Sequence, residues 1–276
     1  MSTQPHVSFH DGRAIPQIGL GVWQTPNDVA ADVVKTALET GYRHIDTAAV
    51  YQNEDGVGEG MARSGLSRED IFLTTKVWNE DQGFDSTLRA MEASLKRLRT
   101  DYVDLYLIHW PSAFRGKYVE TWKALVRLKE EGRARSIGVS NFEGDYIDEI
   151  FEATGVLPVL NQVQLHPRFQ QRALRQKYEP RGIVTESWSP LGQGQMLSDP
   201  VIAAIARRLG KSPAQVIIRW HIQEGLVVIP KSVTPSRIVE NFSVFDFTLT
   251  DQDMAAIRGL DSAEGRIGSN PLTAKF

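Results

Sequence analysis

The stretch Gly41-Tyr-Arg-His-Ile-Asp-Thr-Ala-Ala-Val-Tyr-Gln-Asn-Glu-Asp-Gly-Val-Gly58 decides how the rest of the chain is read. Its centre, His44–Thr47, has the character of a short buried strand that carries an acid, Asp46, at its end. Tyr51 stands in the following loop, and Asn53-Glu-Asp55 open a helix whose positive end favours acids. A carboxylate at the end of a buried strand is costly unless a cation pairs with it. The sequence offers one good candidate, Lys76, which follows the next apolar run, Ile71–Thr75.

Outward from this stretch, strands and helices alternate. Asn27–Thr40 reads as a helix with Ala30, Val33, Val34, Ala37 and Leu38 on one face and Gly41 at its stop. Strands are expected at Ile71–Thr75, Val103–Ile108, Ser136–Val139, Val159–Gln164, Ile183–Ser187 and Leu226–Ile229. Helices are expected up to Ser64, at Phe84–Leu98, Tyr118–Glu131, within Asp145–Thr154, and at Pro200–Leu209, Pro213–Gln223, Arg237–Asn241 and Asp251–Leu260. Alternation implies a parallel sheet, and the short continuous apolar cores fit strands buried on both faces. Polar strand ends recur every 30 to 33 residues from Asp46 to Asn141. Eight such units fill about 250 residues, the size of an eightfold α/β barrel. The faintest strand is the first, Ile18–Val22, which contains two glycines. Ahead of it, His6–Phe9 and Ala14–Gln17 flank Asp11-Gly12, the signal of a two-residue type I′ hairpin. A doubly wound sheet would need a glycine fingerprint. Gly19-Leu-Gly21, Gly56-Val-Gly58 and Gly192-Gln-Gly194 all fail it, with Gln24, Met61 and Leu197 where a small residue belongs.

Composition narrows the function. With 276 residues, 41% hydrophobic, the chain buries a sizeable core without staples, and it is read as one barrel domain, residues 1–276. A net charge of −3 gives no basic footprint for nucleic acid or anionic membrane. The absence of cysteine removes disulfides, thiolate metal sites and a cysteine nucleophile. The start, Met1–His6, lacks an apolar signal core, and no apolar run reaches membrane length, so a cytoplasmic protein is expected.

In a barrel, polar residues at the carboxyl ends of strands share one mouth. Here they are Asp46, Lys76, His109, Ser140-Asn141, Gln162, Trp188-Ser189 and Lys231-Ser232. Singly, each is a capped strand end; several at matching positions make a shared polar site. Lys76 beside Asp46 stays protonated, and its charge is expected to lower the Tyr51 phenol toward working pH, as suits a general acid. His109 can bond the same substrate oxygen. Ser140 has no neighbouring base of the nucleophile-elbow kind, and the histidines lack metal-ligand spacing. The set fits protonation of a carbonyl oxygen while another group supplies hydride. Trp23, Trp78 and Trp110 each follow a strand end and are expected in the wall of a substrate pocket. Trp122 and Trp220 lie within helices and read as packing.

The chain resembles the aldo-keto reductase family over nearly its whole length, in its bacterial 2,5-diketo-gluconate and methylglyoxal reductase branch. Three stretches carry the resemblance: Gly41–Gly58, Arg135-Ser-Ile-Gly-Val-Ser-Asn-Phe142, and Ile229-Pro-Lys-Ser-Val-Thr-Pro-Ser-Arg-Ile-Val-Glu-Asn241. It implies a (β/α)8 TIM barrel closed at the bottom by an N-terminal hairpin, with Pro200–Leu209 and Asp251–Leu260 as two extra helices. It implies a catalytic tetrad of Asp46, Tyr51, Lys76 and His109. It also implies NADPH lying extended across the mouth. Ser140, Asn141 and Gln162 would hold its carboxamide, Trp188 would stack on its ring, and Ser189 and Leu191 would line the pyrophosphate path. Lys231, Ser232, Val233 and Arg237 would hold the 2′-phosphate, with Glu240 and Asn241 near adenine.

The function expected is NADPH-dependent reduction of small aldehydes and ketones by a monomer, with Tyr51 as proton donor. Trp188 stands where many animal members carry tyrosine, which argues against aldose-reductase-like specificity. The segments Pro111–Lys117 and Ser262–Phe276 are short for pocket walls, which favours small polar carbonyls such as methylglyoxal, keto-sugar acids and β-keto esters. Arg115 and Lys117 would add positive charge near the entrance. A nucleotide-binding regulatory protein on the same fold is the alternative.

Overall fold

A hairpin leads into a parallel barrel in the structure, a computed structural model that describes residues 4–276. The hairpin pairs β1 (His6–Ser8) with β2 (Ala14–Pro16). Its turn is not type I′. Phe9 N–H bonds Arg13 O and Gly12 N–H bonds Phe9 O, so three residues, His10–Gly12, close the loop. Gly12 has φ +85°, whereas Asp11 is not among the residues of positive φ. A type I′ turn needs positive φ at both central positions; one left-handed glycine gives the longer bulged turn instead.

The barrel strands follow in chain order: β3 (Leu20–Gly21), β4 (His44–Asp46), β5 (Phe72–Val77), β6 (Val103–Ile108), β7 (Ala134–Ser140), β8 (Leu160–Gln164), β9 (Val184–Trp188) and β10 (Val227–Val228). All neighbouring pairs are parallel. The ring closes where Gly19 N–H bonds Val228 O at 2.9 Å and Val228 N–H bonds Gln17 O at 2.9 Å. Strand β3 is glycine-rich for steric reasons. A Cβ on Gly19 would collide with the His44 ring, and one on Gly21 would come 3.1 Å from Ile229 O. Strand β5 runs past the expected end at Thr75, so Lys76 lies inside it, in register with Leu107.

The helices are α1 (Asn27–Thr40), α2 (Glu54–Arg63), α3 (Phe84–Leu98), α4 (Tyr118–Glu130), α5 (Tyr146–Thr154), α6 (Arg172–Tyr178), α7 (Pro200–Leu209), α8 (Pro213–Gln223), α9 (Pro235–Phe242) and α10 (Asp251–Arg258). Helix α6 has no counterpart among the expected elements. Only Tyr178 in it is buried, so it carries no apolar stripe for a periodicity to reveal. The glycines of α2 are contact surfaces. A Cβ on Gly60 would lie 2.6 Å from Ala31 O, and one on Gly58 would lie 2.7 Å from Leu98 O. This explains Gly56-Val-Gly58 without any phosphate: the glycines let α2 lie against α1 and the end of α3.

Three apolar regions hold the layers. Between strands and helices pack residues such as Val34, Leu38, Ile45, Trp122, Leu125 and Ile150. At the bottom, Phe9 and Ile15 of the hairpin cover Leu105, Leu107, Leu160 and Val227. Asp11 fastens this plug by accepting from Lys129 at 3.0 Å and Ser136 at 2.8 Å. Helix α7 packs on α8 and α10 packs on α7, in one cluster that includes Ile202, Ile205, Trp220, Met254 and Ile257. The sealed bottom leaves the carboxyl ends of the strands as the open end. No helix among the described residues is long and apolar enough to cross a membrane.

Candidate active site

At the open end the ion pair expected from sequence is present. Lys76 Nζ donates to Asp46 Oδ1 at 2.7 Å and to Thr47 O at 2.8 Å, and Lys76 is fully buried. Burial alone would push the ammonium's pKa down, but Asp46, Tyr51 and Glu186 outweigh it and the net direction is up. Asp46 Oδ2 accepts from Gln162 Nε2 at 2.8 Å, so both its oxygens are satisfied. Two of the three ammonium hydrogens are used, and Nζ lies 5.3 Å from the Tyr51 ring centroid.

Tyr51 ends one 3₁₀ turn, Ala49–Tyr51, and Asn53 anchors the loop behind it. Asn53 accepts from Thr47 Oγ1 at 2.8 Å and donates to Val22 O and Thr25 O, tying the loop to β3. The phenol is not lowered as expected. Burial pushes its pKa up, and Lys76 only opposes that shift. His109 follows β6 and meets Tyr51 edge-to-face at 5.6 Å. Burial, then the Lys76 charge, holds its pKa well below the ordinary value, so the ring is neutral.

Asn141 joins the other strand ends. It sits in the left-handed region at φ 62°, which asparagine tolerates better than most residues. Its Nδ2 donates to His109 O at 3.0 Å and Ser140 Oγ at 3.1 Å, and its Oδ1 accepts from Trp188 Nε1 at 2.9 Å. Ser140 Oγ donates to Gln162 O at 2.8 Å. The acceptor lone pairs of Asn141 Oδ1 and Gln162 Oε1 thus remain the main free capacity of this trio.

Of the expected tetrad, Asp46, Tyr51 and His109 line a cavity of about 550 Å³, together with Trp23, Trp78, Trp110, Ser140, Asn141, Gln162, Trp188, Ser189 and Lys231. Lys76 lies beneath it. A second cavity of about 610 Å³ is lined by Leu191, Ser232, Arg237, Glu240 and Asn241. The two share Trp23, Ser189 and Lys231, so they form one extended groove. Val233 is exposed and lines neither; nor do Arg115 and Lys117.

A model of the Aldo/keto reductase family matches residues 17–262. The chain is an aldo/keto reductase. It is 55% identical over 272 residues to an aldo-keto reductase of Mycolicibacterium smegmatis, covering 99% of this chain and 98% of that one. It is 49% identical to the glyoxal reductase of Bacillus subtilis, covering 98% and 97%. Among solved structures, a Gox0644 mutant in complex with NADPH superposes with a TM-score of 0.96 at 57% identity, covering 99% of both chains. In this aldo/keto reductase the geometry adds residues that sequence reading passed over. Phe276 stacks on Trp78 at 6.1 Å and meets Trp110 edge-on at 5.0 Å, completing the mouth's wall. No local pattern announces a contact 166 residues away from Trp110. Gln164 Oε1 accepts from the backbone of Ile267 and Gly268, and a Cβ on Gly268 would come 2.6 Å from Trp188. Glu186, fully buried in β9, did leave a signal: a lone acid inside the run Ile183–Trp188.

Proposed function

We propose that this aldo/keto reductase reduces small polar aldehydes and ketones with NADPH, and that Tyr51 is the proton donor. One observation carries the reading: the Tyr51 phenol lines the mouth cavity directly above a buried Lys76–Asp46 pair. The residues present fit the cofactor. Free acceptors at Asn141 and Gln162 suit a carboxamide N–H₂, the Trp188 indole is held in plane by its bond to Asn141, and Lys231 and Arg237 give the far end of the groove two cations around Ser232. Bound NADPH supplies the hydride.

The chain's own residues do the rest. His109, neutral, offers an N–H to the substrate's carbonyl oxygen and orients it toward Tyr51. As negative charge develops on that oxygen, Tyr51 O–H donates to it. Lys76 stabilises the phenolate left behind, and Asp46 keeps Lys76 charged and aimed. Trp23, Trp78, Trp110 and Phe276 exclude water and set the pocket's size. Phe276 folded onto two indoles narrows the mouth, which favours methylglyoxal, keto-sugar acids and β-keto esters over bulky ketones.

The test is NADPH consumption against a carbonyl panel. The expected order of kcat/KM places methylglyoxal and a β-keto ester above a 3-ketosteroid. A steroid at the top would refute the size argument, and no turnover of any carbonyl would favour a regulatory nucleotide binder.

A further inference from the structure

Beneath the mouth lies an ionisable group that the proposed chemistry leaves unused. Glu186 sits two residues before Trp188 on β9, in register with Gln162 of β8 and Val227 of β10. It is fully buried, and neither carboxyl oxygen has a hydrogen-bond partner. The titratable groups facing it are His44 and Asp46 of β4, with ligand atoms within 4.8 Å of one another, and Lys76 of β5 and Tyr51 beyond them. None supplies a free cation. Lys76 is committed to Asp46 and Thr47 O. His44 Nε2 is 3.8 Å away, but burial, then Lys76, drive its pKa down to about 3, so it is neutral. Gln162, the strand neighbour, gives one amide hydrogen to Asp46, and its amide and the Lys76 charge only partly favour an ionised Glu186.

A carboxylate at this place would face Asp46 while fully buried, with two negative charges close together and neither hydrated by exposure. A divalent ion held by His44, Asp46 and Glu186 would face the ammonium already bound to Asp46. A proton on Glu186 removes both conflicts. Burial, reinforced by the Asp46 charge, raises its pKa to about 8.

We infer that Glu186 is a neutral carboxylic acid and a positioning residue, which keeps the floor of the mouth at one positive and one negative charge. Lys76 then answers to one carboxylate, and its remaining pull acts on Tyr51. Ionised Glu186 would add a second negative charge, tighten the proton on Tyr51 and slow its donation. The kinetic part of this inference rests on Tyr51 as proton donor; the protonation state of Glu186 does not.

The experiment combines infrared spectroscopy and pH profiles on the full chain. The wild type should show the carbonyl stretch of a protonated carboxyl at neutral pH that fades as pH passes about 8, and Glu186→Gln should lack it. With NADPH and methylglyoxal, wild-type kcat should fall between about pH 7 and 9 by at least threefold more than that of Glu186→Gln. The stability readout has a definite sign. The folded acid holds its proton more tightly than the unfolded one, so wild type loses stability relative to Glu186→Gln as pH rises toward about 8. Absence of the acid stretch in wild type overturns the inference, and that measurement stands even if the variant fails to fold. Equal kcat profiles overturn the positioning role. Full turnover by Tyr51→Phe with the acid stretch present would instead refute the proton-donor reading and leave the neutral acid in place.

Discussion

Tyr51 and Lys76 separate chemistry from stability. Tyr51→Phe keeps the ring and its edge contact with His109, so folding and NADPH affinity should hardly change. Its kcat should fall by at least ~10²-fold, the low end for general acid catalysis; a stopped assay at saturating NADPH reads it. Lys76→Met is a different kind of loss. It strands the Asp46 carboxylate in the core, and removing one partner of a buried pair costs about 3–5 kcal/mol. Because the Lys76 pKa is raised by folding, its contribution is complete below the unfolded value near ~10.4 and disappears only as pH climbs through the folded one. Urea melts should therefore show a constant deficit at pH 6–9 that narrows in stronger alkali. Asp46, Lys76 and His109 were legible because single ionisable residues close apolar runs at a common interval. The direction of the Tyr51 shift was not, since sequence names the nearby cation but gives no measure of burial, and burial dominates.

Among the elements, the α1–α2 contact and the hairpin plug make the sharpest tests. Gly60→Ala should gain up to ~1 kcal/mol of helix propensity yet destabilise overall, because its methyl would meet Ala31 O and Val34 Cβ at 2.6 and 2.7 Å. A higher Tm for this variant would contradict the packing described. Asp11 joins the plug to β7 through Ser136 and to α4 through Lys129. Its carboxyl pKa is lowered on folding: burial works against ionisation, but Lys129 and Ser136 prevail. A depressed acid stabilises above its unfolded pKa and loses that contribution as pH falls through the folded value. Asp11→Ala should accordingly lower Tm at pH 7, and the difference from wild type should shrink as pH falls below 3.8. Helices with an apolar face and strands of five or six residues were readable. The two-residue β3 was blurred because backbone contacts, not side-chain pattern, define it, whereas β10 lies inside the readable run Leu226–Ile229; α6 was silent because it buries a single ring.

Across the whole molecule, one groove runs from the tetrad to Arg237, and the two ends should answer separately to mutation. Arg237→Ala should weaken NADPH by about 1.5–3 kcal/mol, as for a charged hydrogen bond, and leave NADH nearly unaffected. Equal losses would show that Arg237 does not read the 2′-phosphate. The barrel itself was visible in the strand interval, and the groove's floor in the strand-end residues. The C-terminal segment was expected as a short pocket wall, but not the residue that closes it: Phe276 reaches Trp78 only after the chain has circled the barrel. The distribution of indoles has an optical consequence. Of the six tryptophans, Trp23, Trp78, Trp110 and Trp188 border the mouth, while Trp122 and Trp220 are wholly enclosed. Emission from the first group reports whatever enters the groove, and emission from the second shifts only when the helices come apart. A single fluorescence spectrum, excited without any attached dye, therefore carries an occupancy channel and an integrity channel in one molecule.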